Sequence, residues 1–135
     1  MSEPLKPGLR ASRRVEVDRD RTISFMGEEC RVYATPMLLY DIEYACRDLL
    51  FEHIEKGMDS VGTRVELDHL GATLLGMWVD IEVTIAEVKG NAVTFEFTAR
   101  DAVEQVARGK HQRFIVGLEK TAQRLKAKQA KAQGL

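Results

Sequence analysis

The sequence predicts an α+β fold in which a curved antiparallel sheet wraps one long buried helix. Three observations carry this. Between Pro36 and Ile54, apolar residues recur on nearly every helical face, at Met37, Leu38, Leu39, Ile42, Ala45, Cys46, Leu49, Leu50 and Ile54. Such a segment is a core helix enclosed by other elements. After Ser60 the periodicity changes to two, and four strand-like segments follow with short turns between them. Strands joined at hairpin scale form antiparallel sheets. Finally, 135 residues suit one domain with its own core, and neither a linker nor an internal repeat interrupts the chain.

Composition narrows the function classes. The chain is 30% charged and 44% hydrophobic, with a formal net charge of −1. That balance is ordinary for a soluble domain and offers no global attraction to nucleic acid or an anionic membrane. Its polar N-terminus lacks the apolar core of a signal peptide, and no apolar run approaches transmembrane length. Cys30 and Cys46 lack metal-ligand spacing, so no metal is expected. The simplest location is a reducing cytoplasm.

Taken in order, residues 1–12 are polar, contain two prolines and are expected to be loose. Arg14–Val17 alternates as a strand. Asp18–Arg21 turns, and Thr22–Met26 continues that strand or lies against it. Thr35 is the expected N-cap of the long helix, with Pro36 in its first turn and Gly57 as a left-handed cap near its end. A strand is expected within 60–75. Met77, Val79, Ile81, Val83 and Ile85 then form one face of the next strand, and Lys89-Gly90-Asn91 makes a hairpin turn. Val93, Phe95, Phe97 and Ala99 form another inward face. The last strand runs from Val106 to Leu118, with Phe114, Val116 and Leu118 on one side. Residues 119–135 form a Lys-, Ala- and Gln-rich tail that reads as an exposed helix.

One helix cradled by a curved antiparallel sheet is the hot-dog arrangement. Several short segments then appear in one order: Val32-Tyr33-Ala34-Thr35, Glu43-Tyr44-Ala45-Cys46, Gly62-Thr63, His69-Leu70-Gly71-Ala72-Thr73, His111-Gln112-Arg113 and Leu118-Glu119-Lys120. This set resembles the hot-dog thioesterases typified by fluoroacetyl-CoA thioesterase, over about residues 10–125. The resemblance implies cleavage of an acyl-CoA thioester by Thr35, Glu43 and His69. It also implies that Gly62 lines the acyl pocket and that Arg113 lies beside the catalytic carboxylate or the CoA. It further implies a homodimer, in which Glu43 and His69 meet in one cleft from one protomer or from two; a tetramer is the other assembly considered. One departure concerns the acyl group and leaves the thioesterase class untouched. The family's segment before the helix is a longer, Phe-bearing lid, whereas Phe25 to Ala34 is short, with Phe25 and Tyr33 its only aromatics.

The chemistry fits these residue types. Thioester hydrolysis needs an activated water or a carboxylate nucleophile, and donors for the developing oxyanion. Glu43 is the candidate nucleophile or base; the structural alternative is a helix Glu paired with a basic residue such as Arg113. His69 is the candidate proton carrier, and its alternative is a strand-end side chain bonded to backbone. Thr35 either contacts carboxylate or carbonyl, or simply caps the helix. Gly62 and Gly71 allow close ligand approach or mark bulges. Arg113 offers a planar fork to a phosphate or carboxylate, or forms a cross-strand ion pair. His111 shares its face and reads as structural; Asp41 and Asp68 are weaker candidates.

Phe25, Tyr33, Met37 and Tyr40 are the expected pocket lining. The reading is therefore an acyl-CoA thioesterase for small or medium acyl groups, with no cofactor other than the coenzyme A of its substrate, and with neither nucleic acid nor membrane as partner. A hot-dog hydratase or dehydratase acting on hydroxyacyl thioesters is the rival enzyme, and a non-catalytic acyl-CoA-binding protein is the rival from another class.

Overall fold

The computed structural model describes residues 3–135. Its elements run β1 (Arg10–Glu16), α1 (Thr35–Phe51), β2 (Met58–His69), β3 (Trp78–Lys89), β4 (Ala92–Arg100), β5 (Gln105–Gly117) and α2 (Leu118–Gln133). All five strands form one antiparallel sheet in the order β1-β3-β4-β5-β2. The α1 segment joins the two edge strands and lies across the inner face, which is the hot-dog arrangement. No helix among the described residues is long and apolar enough to cross a membrane.

The alternation in β3 and β4 sets the core directly. Val79, Ile81, Val83 and Ile85 are fully buried, as are Val93 and Phe95, with Phe97 and Ala99 nearly so. They meet Leu38, Ile42, Cys46 and Leu50 of α1. The β3–β4 hairpin closes with Gly90 at φ 57°, the left-handed geometry that a two-residue turn requires.

Four expectations need correction. Residues 10–12 already pair in β1, where Arg10 aligns with Thr84, so the loose segment is shorter than expected. The N-cap of α1 is Ala34, with no side-chain cap bond. The helix ends at Phe51, because the amides of Glu52 and His53 close back onto the carbonyls of Leu49 and Leu50. Gly57, at φ 87°, serves the turn into β2 instead. In β5 the inner face carries Ala107, His111, Arg113 and Ile115, while Phe114 is 44% exposed on the outer face. The hydrophobic pattern misleads there because the inner side of β5 holds polar groups.

Candidate active site

The first cluster forms where α1 begins and β2 ends. The Thr35 hydroxyl oxygen lies 2.7 Å from His69 Nδ1. Since Ala34 is the cap residue, the helix makes no claim on this hydroxyl. His69 Nε2 is buried and lacks a hydrogen-bond partner among the described residues. Burial pulls the imidazole below the ordinary histidine range, against an opposing pull from the Gly71 backbone. A neutral imidazole with one nitrogen held and the other unbonded is equipped to accept or deliver a proton.

The second cluster sits two turns further along α1. Glu43 projects from the middle of the helix toward β2 and β5, and its Oε1 lies 3.5 Å from Arg113 Nη1. Arg113 itself is buried and fixed on three sides. Its Nε donates to Ser60 Oγ at 2.7 Å, Nη2 to the Ser60 carbonyl at 2.8 Å, and Nη1 to His111 Nε2 at 3.1 Å. Burial lowers the Arg113 pKa, with Glu43 opposing it; an arginine nonetheless stays protonated.

Gly62 lies directly across from Arg113 in the sheet. A Cβ there would collide with Glu43 Oε1 and approach His111 Cε1 to 3.1 Å. Glycine is thus required for the carboxylate to reach this place. The register shift between Gly62 and Arg64 marks a β-bulge, a device that re-aims strand groups at sites.

The two clusters lie on one helix, eight residues apart, so about 12 Å separates Thr35 from Glu43 along the axis. Among the described residues, no hydrogen bond or ion pair joins them within one protomer. An open cavity of about 550 Å³ adjoins the second cluster, lined by Tyr40, Glu43, Tyr44, Arg47, Asp59, Ser60 and Arg113. The Tyr40 and Tyr44 rings form one wall, 4.7 Å between centroids.

The remaining expected site residues are placed differently. Tyr33 is 2% exposed and its hydroxyl donates to Asp41, so its ring fills the core rather than an open acyl pocket. Asp41 is occupied further by a two-point contact with Arg21, at 2.9 and 3.1 Å. It fastens the loop before the helix and has no free face for chemistry. Phe25 is 82% exposed at the tip of that loop. Gly71 lies in the turn leaving β2, where an added Cβ would press on the exposed Glu104 side chain. Asp68 pairs with Arg108 on the outer face, 3.5 Å away. Cys46 is buried, and burial pushes its thiol up to about 12, so it is no nucleophile.

Sequence reasoning missed two participants. Ser60 shares strand parity with Gly62, the one signal that pointed to it. His111 was visible as a neighbour of Arg113 on the same face, but its bond to that side chain was not.

Comparison with known proteins gives this geometry its family. The family model described as fluoroacetyl-CoA-specific thioesterase matches residues 17–119. The fluoroacetyl-CoA thioesterase of Streptantibioticus cattleyicolor is 30% identical over 89 residues, which is 66% of this chain. The chain aligns with 64% of the length of that curated relative. Among solved structures, a fluoroacetyl-CoA thioesterase superposes with a TM-score of 0.85 at 25% identity, covering 93% of this chain and 98% of that one. A thioesterase superfamily member from Thermus thermophilus gives 0.89 at 23% identity, covering 98% of both chains, and supports the fold. The chain belongs to the family of fluoroacetyl-CoA-specific thioesterases.

Proposed function

We propose that this protein hydrolyses acyl-CoA thioesters, with Glu43, His69 and Thr35 as the reacting groups. The observation that carries the reading is the placement of Glu43. It is a half-buried carboxylate held against Arg113 beside an open cavity, in a chain whose family is named for thioester cleavage. A solved form of the related thioesterase is in complex with fluoroacetate and CoA, which supports an acyl-CoA as the substrate here.

Two routes use the same groups. In one, Glu43 takes a proton from water as the water oxygen attacks the thioester carbonyl carbon. In the other, the Glu43 carboxylate attacks that carbon and water later cleaves the resulting anhydride. In both, the carbon–sulfur bond breaks, and the proton that comes off water passes through the neutral His69 imidazole to the departing thiolate sulfur, with Thr35 steadying the ring. The products are a carboxylic acid and free CoA thiol. Incorporation of ¹⁸O from labelled water into Glu43 in a single turnover marks a covalent route in which water opens the anhydride at the glutamyl carbon.

The cleft is assembled from two protomers in this reading. One chain holds Thr35–His69 and Glu43–Arg113 apart, so each half meets the other half of a second copy. Support comes from the β2 edge, twelve residues long, where Val61 is 45% and Val65 39% exposed. A long open edge of this kind pairs with another strand. The unpaired thiols of Cys30 and Cys46 fit a reducing, cytoplasmic setting.

Free-thiol release from acetyl-, branched, phenylacetyl-, aromatic and long-chain acyl-CoAs tests the proposal. Turnover that disappears in Glu43→Ala supports it and identifies the acyl class. Binding without turnover on any member sinks it in favour of a non-catalytic acyl-CoA-binding protein.

A further inference from the structure

We infer that His111 is a positioning residue: its neutral imidazole aims Arg113, and through Arg113 the Glu43 carboxylate. The inference rests on the thioesterase reading only for its kinetic consequence; the arrangement itself stands on geometry.

His111 is 3% exposed, and both ring nitrogens are engaged. Nδ1 lies 2.9 Å from the Arg64 carbonyl and Nε2 lies 3.1 Å from Arg113 Nη1. A carbonyl only accepts and a guanidinium only donates, so the proton must sit on Nδ1 and the lone pair on Nε2. A single tautomer satisfies both partners. Of the two protons on Arg113 Nη1, one is then directed to His111 and the other to Glu43. Ser60 holds Nε and Nη2 of the planar fork. His111 adds the third anchor, placed on the nitrogen that faces Glu43.

The ring is boxed on its other sides. Phe95 of β4 stacks at 6.4 Å between centroids, and Gly62 of β2 leaves only the space of its missing side chain. The bulge at Thr63 sits beside Arg64, whose carbonyl faces Nδ1. The charged groups acting on the ring are Glu43 from α1 and Arg113 from β5. Protonation of His111 would set two cations in contact and replace the Nε2 acceptor with a donor. Burial and Arg113 both oppose that, while the Arg64 carbonyl and Glu43 favour it, and the net displacement is downward.

The test compares His111→Gln and His111→Leu in the full chain. A glutamine carries a carbonyl for Arg113 and an amide donor for the Arg64 carbonyl; leucine carries neither. With the most active acyl-CoA, His111→Leu is expected to lose about tenfold to a hundredfold in kcat with KM little changed, the size of effect that a misaimed group produces. His111→Gln is expected to recover most of it. Histidine ¹⁵N NMR of the wild-type protein supplies an arm independent of turnover: His111 should show a bare Nε2 and a protonated Nδ1 at neutral pH. The inference is overturned if the folded leucine variant keeps full kcat, if glutamine is as damaging as leucine, or if the proton resides on Nε2. Should the wild-type protein cleave no acyl-CoA, the thioesterase reading fails, and the NMR arm still decides the positioning.

Discussion

Thr35 and His69 share a 2.7 Å contact that commits the threonine hydroxyl to the imidazole rather than to the end of α1. Removing that hydroxyl should therefore damage chemistry and spare stability. Thr35→Val is expected to lower thiol release about tenfold or more, by loosening the proton carrier. Its thermal midpoint should stay near that of the wild type, without the ~1 kcal/mol that loss of a true N-cap costs. Parallel melting and rate measurements check this; a large drop in melting temperature would show that Thr35 caps after all.

Gly62→Ala places a methyl group where Glu43 Oε1 now lies. The side chain of Glu43 must swing away, a cheap move for the end of a flexible, half-exposed side chain, so the loss of stability is expected to stay within about 1 kcal/mol. The variant should fold and lose most of its activity. Chemical denaturation and kcat together read this out, and full activity in the folded variant would contradict the tight placement.

Asp41 is a stability residue. It joins Arg21 and Tyr33 beneath the loop that leads into α1, and its side chain is 7% exposed. Asp41→Ala leaves the part-exposed Arg21 guanidinium with Asp18 alone and the buried Tyr33 hydroxyl without its partner. A loss of about 1–3 kcal/mol is expected, with kcat per folded molecule changed far less than by Glu43→Ala. Urea unfolding combined with active-fraction measurements separates the two effects.

His69 and His111 both have pKa values lowered mainly by burial. Unfolded histidine titrates near 6.5, so the unfolded chain binds more protons in the window just below that value. Their contribution to stability is present above about pH 6.5 and is lost as pH falls through the folded-state values. Urea midpoints for the wild type should drop between pH 7 and pH 5, and the doubly substituted His69→Gln/His111→Gln should show a flatter profile. An equal slope in both proteins would contradict the burial of neutral imidazoles.

The terminal helix should be dispensable for chemistry. No residue of α2 is buried, and Leu125 is 62% exposed. A chain lacking residues 121–135 is expected to retain most of its thiol-release activity and its thermal midpoint. Loss of most activity from a folded truncation would give α2 a place in the site.

The parts of this molecule that were legible are those in which periodicity and burial coincide. Val79 through Ile85 and Val93 through Ala99 alternate because one side of each strand is core, and the structure buries those residues. The α1 segment was legible for the same reason. The pattern failed on β5, where the inward positions are His111 and Arg113 and the apolar Phe114 faces out. A polar site built into a core face inverts the signal that locates the face. Tyr33 and Asp41 failed differently. Their roles depend on Arg21, which chain folding brings to the helix and no local spacing announces. The Thr35 hydroxyl was ambiguous until its neighbour His69, 34 residues away, was placed beside it. Glu43 and Arg113 were legible as a pair, whereas Ser60, which holds the fork, carried almost no signal.

The most direct test of the central claim is subunit complementation. Glu43→Ala and His69→Ala proteins are each expected to be nearly inactive, since each lacks one half of every site. Mixed and allowed to exchange protomers, they form heterodimers in which one cleft has Glu43 from one chain and Thr35–His69 from the other. Random exchange should restore about a quarter of wild-type turnover, because half the dimers are mixed and each carries one intact cleft. A mixture that exchanges fully and stays inactive would contradict a cleft built from two protomers. If each single variant remains fully active on its own, the assignment of Glu43 and His69 to the chemistry is wrong.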